Sequence, residues 1–136
     1  MEIDDALTSL YEAYNGHSPS QVAARYRTDG RHVEVAQGNE RSGRDAIREG
    51  LARFFEAFPD AHWAERARIV AADCAAVTYT LTGTLRAQLG PFEPAGQRLE
   101  LNGVHVVYVA KGEITLIEDY WDAATFARQM GAQGGS

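Results

Sequence analysis

Two side chains toward the end of the chain, His105 and Asp119, have the types and the spacing for proton-transfer chemistry. They flank Lys111-Gly112, a hairpin turn between alternating runs at Leu99 to Ala110 and Glu113 to Trp121. The sequence does not fix the register, but both lie at similar distances from that turn and could be cross-strand or diagonal neighbours within ~5–8 Å. A carboxylate orients an imidazole and favours its charged form, while burial holds a proton on the carboxylate, so such a pair can move protons. The bland alternative is a buried hydrogen-bonded pair that only stiffens the sheet. Glu34 is a third candidate. It shares a strand face with His32, and the two stand or fall together. Val33 and Val35 supply an apolar face there, so the alternative for Glu34 is a solvated strand residue.

Six aromatic side chains, Tyr14, Phe54, Phe58, Trp63, Tyr79 and Trp121, are candidate substrate-binding walls; core packing is the competing reading for each. Tyr14 follows Leu10 by one helical turn and could donate a hydrogen bond to a substrate carbonyl, as could Tyr79 from the sheet. Asp122 reads as a helix cap, and His17 and His62 as solvated. Cys74 is the single cysteine. It cannot form an internal bridge, no Cys/His cluster has zinc spacing, and a small buried hydrophobe is its expected role. No metal site is expected.

The elements that must position these residues follow from periodicity. Leu7, Leu10, Tyr11 and Tyr14 form one helical face, ended by Asn15-Gly16. Ser18 to Gln21 is a capping box with Pro19 at the first helical position, and a short helix runs to about Arg25. Thr28-Asp29-Gly30 reads as a turn, His32 to Ala36 as a short strand, and Gly38 to Gly43 as a polar loop. A third helix from Arg44 to about Ala57 carries the stripe Ile47, Leu51, Phe54, Phe55 and Phe58, and Pro59 stops it. Strands follow at His62 to Val70 and Ala75 to Thr84, then a Pro/Gly loop around Phe92, the two long strands, and a helix over Ala123 to Met130. The whole is one α+β domain over 1–132 with a flexible tail at 133–136.

Composition narrows the partners. The chain has 136 residues, 45% hydrophobic and 24% charged, within the ordinary globular range. Its net charge of −6 leaves few cations for a nucleic-acid face. There is no apolar run long enough to span a membrane and no basic leader at the N-terminus, so a reducing cytoplasm is the expected compartment.

Several stretches together resemble a known family. They are GVHVVYVAKGEI at 103–114, EDYWD at 118–122 and QMG at 129–131, with YNGHSP at 14–19, GRDAI at 43–47, AFPD at 57–60, LTGT at 81–84 and PAG at 94–96. From about residue 5 to 131 the chain resembles the SnoaL-like polyketide cyclase branch of the NTF2-like superfamily. The resemblance implies a conical barrel, a curved antiparallel sheet wrapped around three N-terminal helices, usually as a homodimer. It implies a cofactor-independent small-molecule cyclase, performing intramolecular aldol or oxa-cyclisation of a polyketide-like substrate in an apolar cavity. In that reading Asp119 is the acid/base and His105 assists. The same scaffold also hosts epoxide hydrolases, isomerases and non-catalytic ligand binders. The hydrolases use an Asp-Arg-Asp set, for which Arg66, Arg68 and Arg86 are the available but uncompelling arginines. The ketosteroid isomerases align their general base onto Glu34, their oxyanion tyrosine onto Leu10, their oxyanion aspartate onto His105 and their pocket tryptophan onto Trp121. Losing one oxyanion donor costs on the order of 10²–10³ in rate, which speaks against that form of steroid isomerisation.

Overall fold

The computed structural model describes residues 2–132; the tail expected at 133–136 lies outside them. Ten elements follow in order: α1 (Glu2–Asn15), α2 (Pro19–Ala24), β1 (Tyr26–Glu34), β2 (Asn39–Ser42), α3 (Arg44–Ala57), β3 (His62–Val70), β4 (Cys74–Thr84), β5 (Arg98–Ala110), β6 (Glu113–Trp121) and α4 (Ala123–Ala132).

The helices form where apolar stripes and caps coincide. Leu7, Leu10, Tyr11 and Tyr14 are all buried along one side of α1. The Ser18 side chain accepts from the Gln21 amide and starts α2. Asp122 accepts from the Ala124 amide and the Thr125 hydroxyl, opening α4 as expected. Asn15, the last residue of α1, bonds both backbone groups of Trp63 and ties the helix end to β3.

The six strands make one sheet in the order β2-β1-β6-β5-β4-β3. From β3 to β6 the chain is a meander of antiparallel neighbours. The expectation of a wholly antiparallel sheet fails at one pair: β1 and β6 run parallel. The chain leaves β2 through α3, builds the far half of the sheet first, and then returns β6 alongside β1 in the same direction.

Two local expectations also fail. Thr28-Asp29-Gly30 is not a turn but an irregularity inside β1, where the register against β6 shifts between Tyr26 and Arg31. A Cβ on Gly30 would stand 3.0 Å from the Tyr26 side chain, so the strand folds closely onto that ring. The polar loop between Gly38 and Gly43 contains β2, an edge strand paired with β1. Its sequence, NERS, carries no apolar alternation because an edge strand with charged, exposed side chains resists pairing with other chains.

The core lies between the helices and the inner face of the sheet. Leu7, Leu10, Val22, Leu99, Ile114 and Ile117 are fully buried there, each worth about 1.5–3 kcal/mol of transfer free energy. Cys74 is half-buried rather than buried, at the start of β4. His17 is not freely solvated; its Nε2 lies 2.6 Å from the Ala61 carbonyl. His62 is exposed, as expected. No helix among the described residues is long and apolar enough to cross a membrane.

Candidate active site

The β5–β6 hairpin sets His105 directly opposite Asp119. The imidazole Nε2 stands 3.2 Å from Asp119 Oδ2, and both side chains are buried, at 1% and 7% exposure for the residues. Tyr79, on β4, donates its hydroxyl proton to the other carboxylate oxygen at 2.6 Å. On the far side of the ring, Tyr11 Oη lies 2.6 Å from His105 Nδ1. Both ring nitrogens of His105 are thus engaged, Nε2 by the Asp119 carboxylate and Nδ1 by the Tyr11 hydroxyl. The result is a continuous line from α1 through β5 and β6 to β4.

A second line meets the first through the parallel β1–β6 pair, whose register places Glu34 beside Asp119. His32 Nε2 is 2.7 Å from Glu34 Oε2 and 3.8 Å from Asp119 Oδ2. Tyr26 Oη is 3.0 Å from His32 Nδ1. Trp121 donates its indole N–H to Glu34 Oε1 at 2.7 Å. Glu34 is thus a half-buried wall residue held by two donors, not a solvated one. Among the described residues, every buried side-chain nitrogen and oxygen has a partner.

Charge states follow from these contacts. Burial works against a proton on His32, but the hydrogen bond and charge of Glu34, with the charge of Asp119, outweigh it, and the His32 pKa rises above its ordinary 6.5 despite nearby Arg41. Burial also works against ionised Asp119. The charge and hydrogen bond of the His105 ring, the charge of His32 and the Tyr79 bond outweigh it, and the Asp119 pKa falls below its ordinary 3.8. Asp119 is therefore a carboxylate at neutral pH. Burial, first among several causes, pushes the phenols of Tyr11, Tyr14, Tyr26 and Tyr79 far up, so each remains a proton donor.

Asp119, His105, His32, Tyr14 and Tyr79 face a cavity of about 740 Å³. Tyr14, Phe54, Trp63, Tyr79 and Trp121 line it, as do His32, Glu34, His105 and Asp119. Tyr14 and Trp63 pack at 4.6 Å between ring centroids, and Phe54 and Trp63 at 5.7 Å. Phe58 is the exception among the expected wall residues. It is fully buried behind the wall, where its ring packs on Gly83 and Phe54. The loop around Phe92 does reach the cavity, and its ring meets Phe126 of α4. Arg68 is engaged by Glu65 and Asp4 and does not line the cavity, and neither do Arg66 and Arg86. The cavity arginines are Arg41 and Arg53.

His32, Glu34 and Asp119 each offer a ligand atom, all within 4.8 Å of one another, and are the residues that could hold a cation. An ion there would have to displace the proton between His32 and Glu34, and the set as it stands is a hydrogen-bonded cluster. Two members of the network, Tyr11 and Tyr26, escape a reading of the sequence, and a third, His32, is legible there only as the strand-face neighbour of Glu34. Tyr11 and Tyr26 look like core aromatics, and His32 gains its importance only from β1 lying beside β6. A hydroxyl-bearing aromatic on each buried stripe is the one signal that could have pointed to the tyrosines.

Comparisons with known proteins bear on this site. No curated protein matches the chain. Among solved structures, a candidate SnoaL-like polyketide cyclase from Jannaschia sp. CCS1 superposes with a TM-score of 0.87 at 18% identity, covering 96% of this chain and 92% of that one. A candidate polyketide cyclase from Xanthomonas campestris pv. campestris gives 0.83 at 22% identity, covering 95% and 96%. A protein of ketosteroid isomerase-like fold from Catenulispora acidiphila DSM 44928, in complex with trimethylamine, gives 0.81 at 21%, covering 93% and 92%. These similarities establish the ketosteroid isomerase-like fold. The family model for SnoaL-like polyketide cyclase matches residues 4–130, nearly the whole described chain, and the protein belongs to that family.

Proposed function

We propose that this protein is a cofactor-independent cyclase that closes a ring in a polyketide-like small molecule by proton transfer. The observation that carries the reading is Asp119, ionised and paired with His105 at 3.2 Å, on the wall of a large aromatic cavity.

In an intramolecular aldol closure, Asp119 takes a proton from a carbon flanked by carbonyls. The electron pair of that C–H bond becomes an enolate, whose carbon attacks a second carbonyl of the same molecule. The new C–C bond forms as the carbonyl π pair moves to oxygen, and that alkoxide takes a proton from the network. His32, with its raised pKa, can supply it, and His105 orients Asp119 to receive the first proton. The alternative, oxa-cyclisation, differs only in that the first proton comes from a hydroxyl and the new bond is C–O. Tyr79 gives its single proton to Asp119 and is therefore not the oxyanion donor here. Tyr14, a protonated phenol on the cavity wall, is the better placed group for that role. The aromatic walls exclude water and hold a flexible chain near its closing geometry, where proximity supplies much of the acceleration.

The test is Asp119→Asn, assayed with an aromatic poly-β-ketone and analysed by mass spectrometry and NMR. Turnover should fall by about 10²–10⁴ while the far-UV spectrum and cooperative melt survive. Retention of most of the activity removes Asp119 from the mechanism. Running an epoxide substrate in isotopically labelled water separates the rival reaction, because hydrolysis incorporates the label and ring closure does not.

A further inference from the structure

Among the described residues Arg41 is the half-buried arginine that pairs with no carboxylate; Arg25, Arg53, Arg66 and Arg86 are unpaired too, but exposed. Arg27, Arg31, Arg44, Arg48, Arg68 and Arg98 each pair with a carboxylate. Among the described residues, Arg41 has neither an ion pair nor a side-chain hydrogen bond, yet it is half-buried and lines the cavity. Its position is built. Arg41 on β2 is the register partner of His32 on β1, which puts both side chains on the inner face. Its chain then crosses α3 at Gly50, where a Cβ would overlap the Arg41 Nε and crowd its Cζ at 2.6 Å. A helix interior favours alanine over glycine, so Gly50 has a purpose here: it is the seat of the guanidinium.

A partly desolvated guanidinium without a partner is costly, and a bound anion offsets that cost. The nearby carboxylates are engaged: Glu34 by His32 and Trp121, Asp119 by Tyr79 and His105. Glu56 also lines the cavity but is exposed on α3, so the anion for the half-buried guanidinium is assigned to the ligand. We infer that Arg41 is a specificity-determining residue whose guanidinium, seated on Gly50, receives a carboxylate of the substrate. This rests on the cyclase reading for the word substrate, but not for the binding itself. The fork of donors on arginine suits a planar carboxylate held by two parallel bonds. In the sheet Arg41 and Asp119 are two strands apart and offset by two residues along the strand, about 12 Å between their backbones. The preferred molecule thus carries its acid group roughly one ring system away from the carbon that loses its proton.

The experiment compares anthraquinone-2-carboxylate with anthraquinone-2-carboxamide, read by quenching of Trp63 and Trp121, both in the cavity wall. The native protein should bind the acid at least about tenfold more tightly than the amide. Arg41→Gln should reduce that ratio to below about threefold, and Gly50→Ala should do so as well by unseating the guanidinium. Arg53→Gln, at the other cavity arginine, should keep the ratio. An equal affinity of the native protein for both probes, a preference that persists in Arg41→Gln, or no saturable quenching by either probe overturns the inference. Asp119→Asn keeps the outcomes apart: it should lose turnover yet still prefer the acid. An active Asp119→Asn variant with intact acid preference refutes the cyclase mechanism alone, and loss of preference with normal Asp119 dependence refutes the Arg41 anchor alone.

Discussion

Tyr79 reaches Asp119 by lying across Gly103. The two residues are register partners on β4 and β5, and the phenol crosses β5 over the glycine to donate to Asp119 on β6 at 2.6 Å. A side chain at Gly103 would occupy the space the phenol uses, overlapping its hydroxyl and standing 2.9 Å from the Tyr120 carbonyl oxygen. One missing Cβ therefore supports a hydrogen bond on the central carboxylate.

Gly103→Ala should disable the site from behind. The backbone oxygen cannot swing away, and Tyr79 would have to leave Asp119. We expect a loss of about 1–3 kcal/mol of stability from overpacking, measured by urea unfolding, together with reduced turnover. An alanine variant with native stability and native activity would show that Tyr79 has another path to Asp119.

Tyr79→Phe removes the donor without crowding. The Tyr79 bond helps hold the Asp119 pKa below its ordinary value, so its loss moves that pKa up. The acidic limb of the kcat/KM profile should shift to higher pH. A pH profile that does not move would mean that the Asp119 carboxylate is not the group titrating in the reaction.

Tyr11→Phe acts on His105 from outside the cavity. Tyr11 is not a wall residue, but its hydroxyl is the partner of the buried His105 Nδ1. The orphaned nitrogen should cost about 1–3 kcal/mol. As a positioning residue, Tyr11 should lower kcat with little change in KM; a rise in KM alone would place it in substrate binding instead.

The two histidine–carboxylate lines also define a pH window of stability. The raised His32 pKa contributes stability that is fully present below 6.5 and is lost as pH rises through its folded value. The lowered Asp119 pKa contributes stability that is present above 3.8 and is lost as pH falls through its folded value. Unfolding midpoints should therefore plateau between these limits. His32→Gln should flatten the alkaline flank, and Glu34→Gln should move that flank to lower pH. A native protein whose midpoint does not decline above neutrality would contradict the charged state assigned to His32.

Local periodicity and turn chemistry determined much of this protein. The stripe Leu7, Leu10, Tyr11 and Tyr14 and the stripe through Ile47 and Phe54 specify α1 and α3, because an amphipathic helix needs only its own spacing to declare its buried side. The Lys111-Gly112 turn specifies the last hairpin and brings His105 near Asp119, but strict counting from it would set His105 opposite Glu118; the register shift between Tyr108 and Val109 is what places it opposite Asp119. What lies far apart in sequence was decided by the tertiary structure. The parallel pairing of β1 with β6 joins residues some 85 positions apart and puts His32 and Glu34 beside Asp119. The all-polar β2 is a strand only because β1 offers it an edge. Tyr79 and Arg41 take their roles from glycines on other elements, Gly103 and Gly50. A side chain's partner across the sheet is fixed by packing and long-range register, which no window along the chain contains.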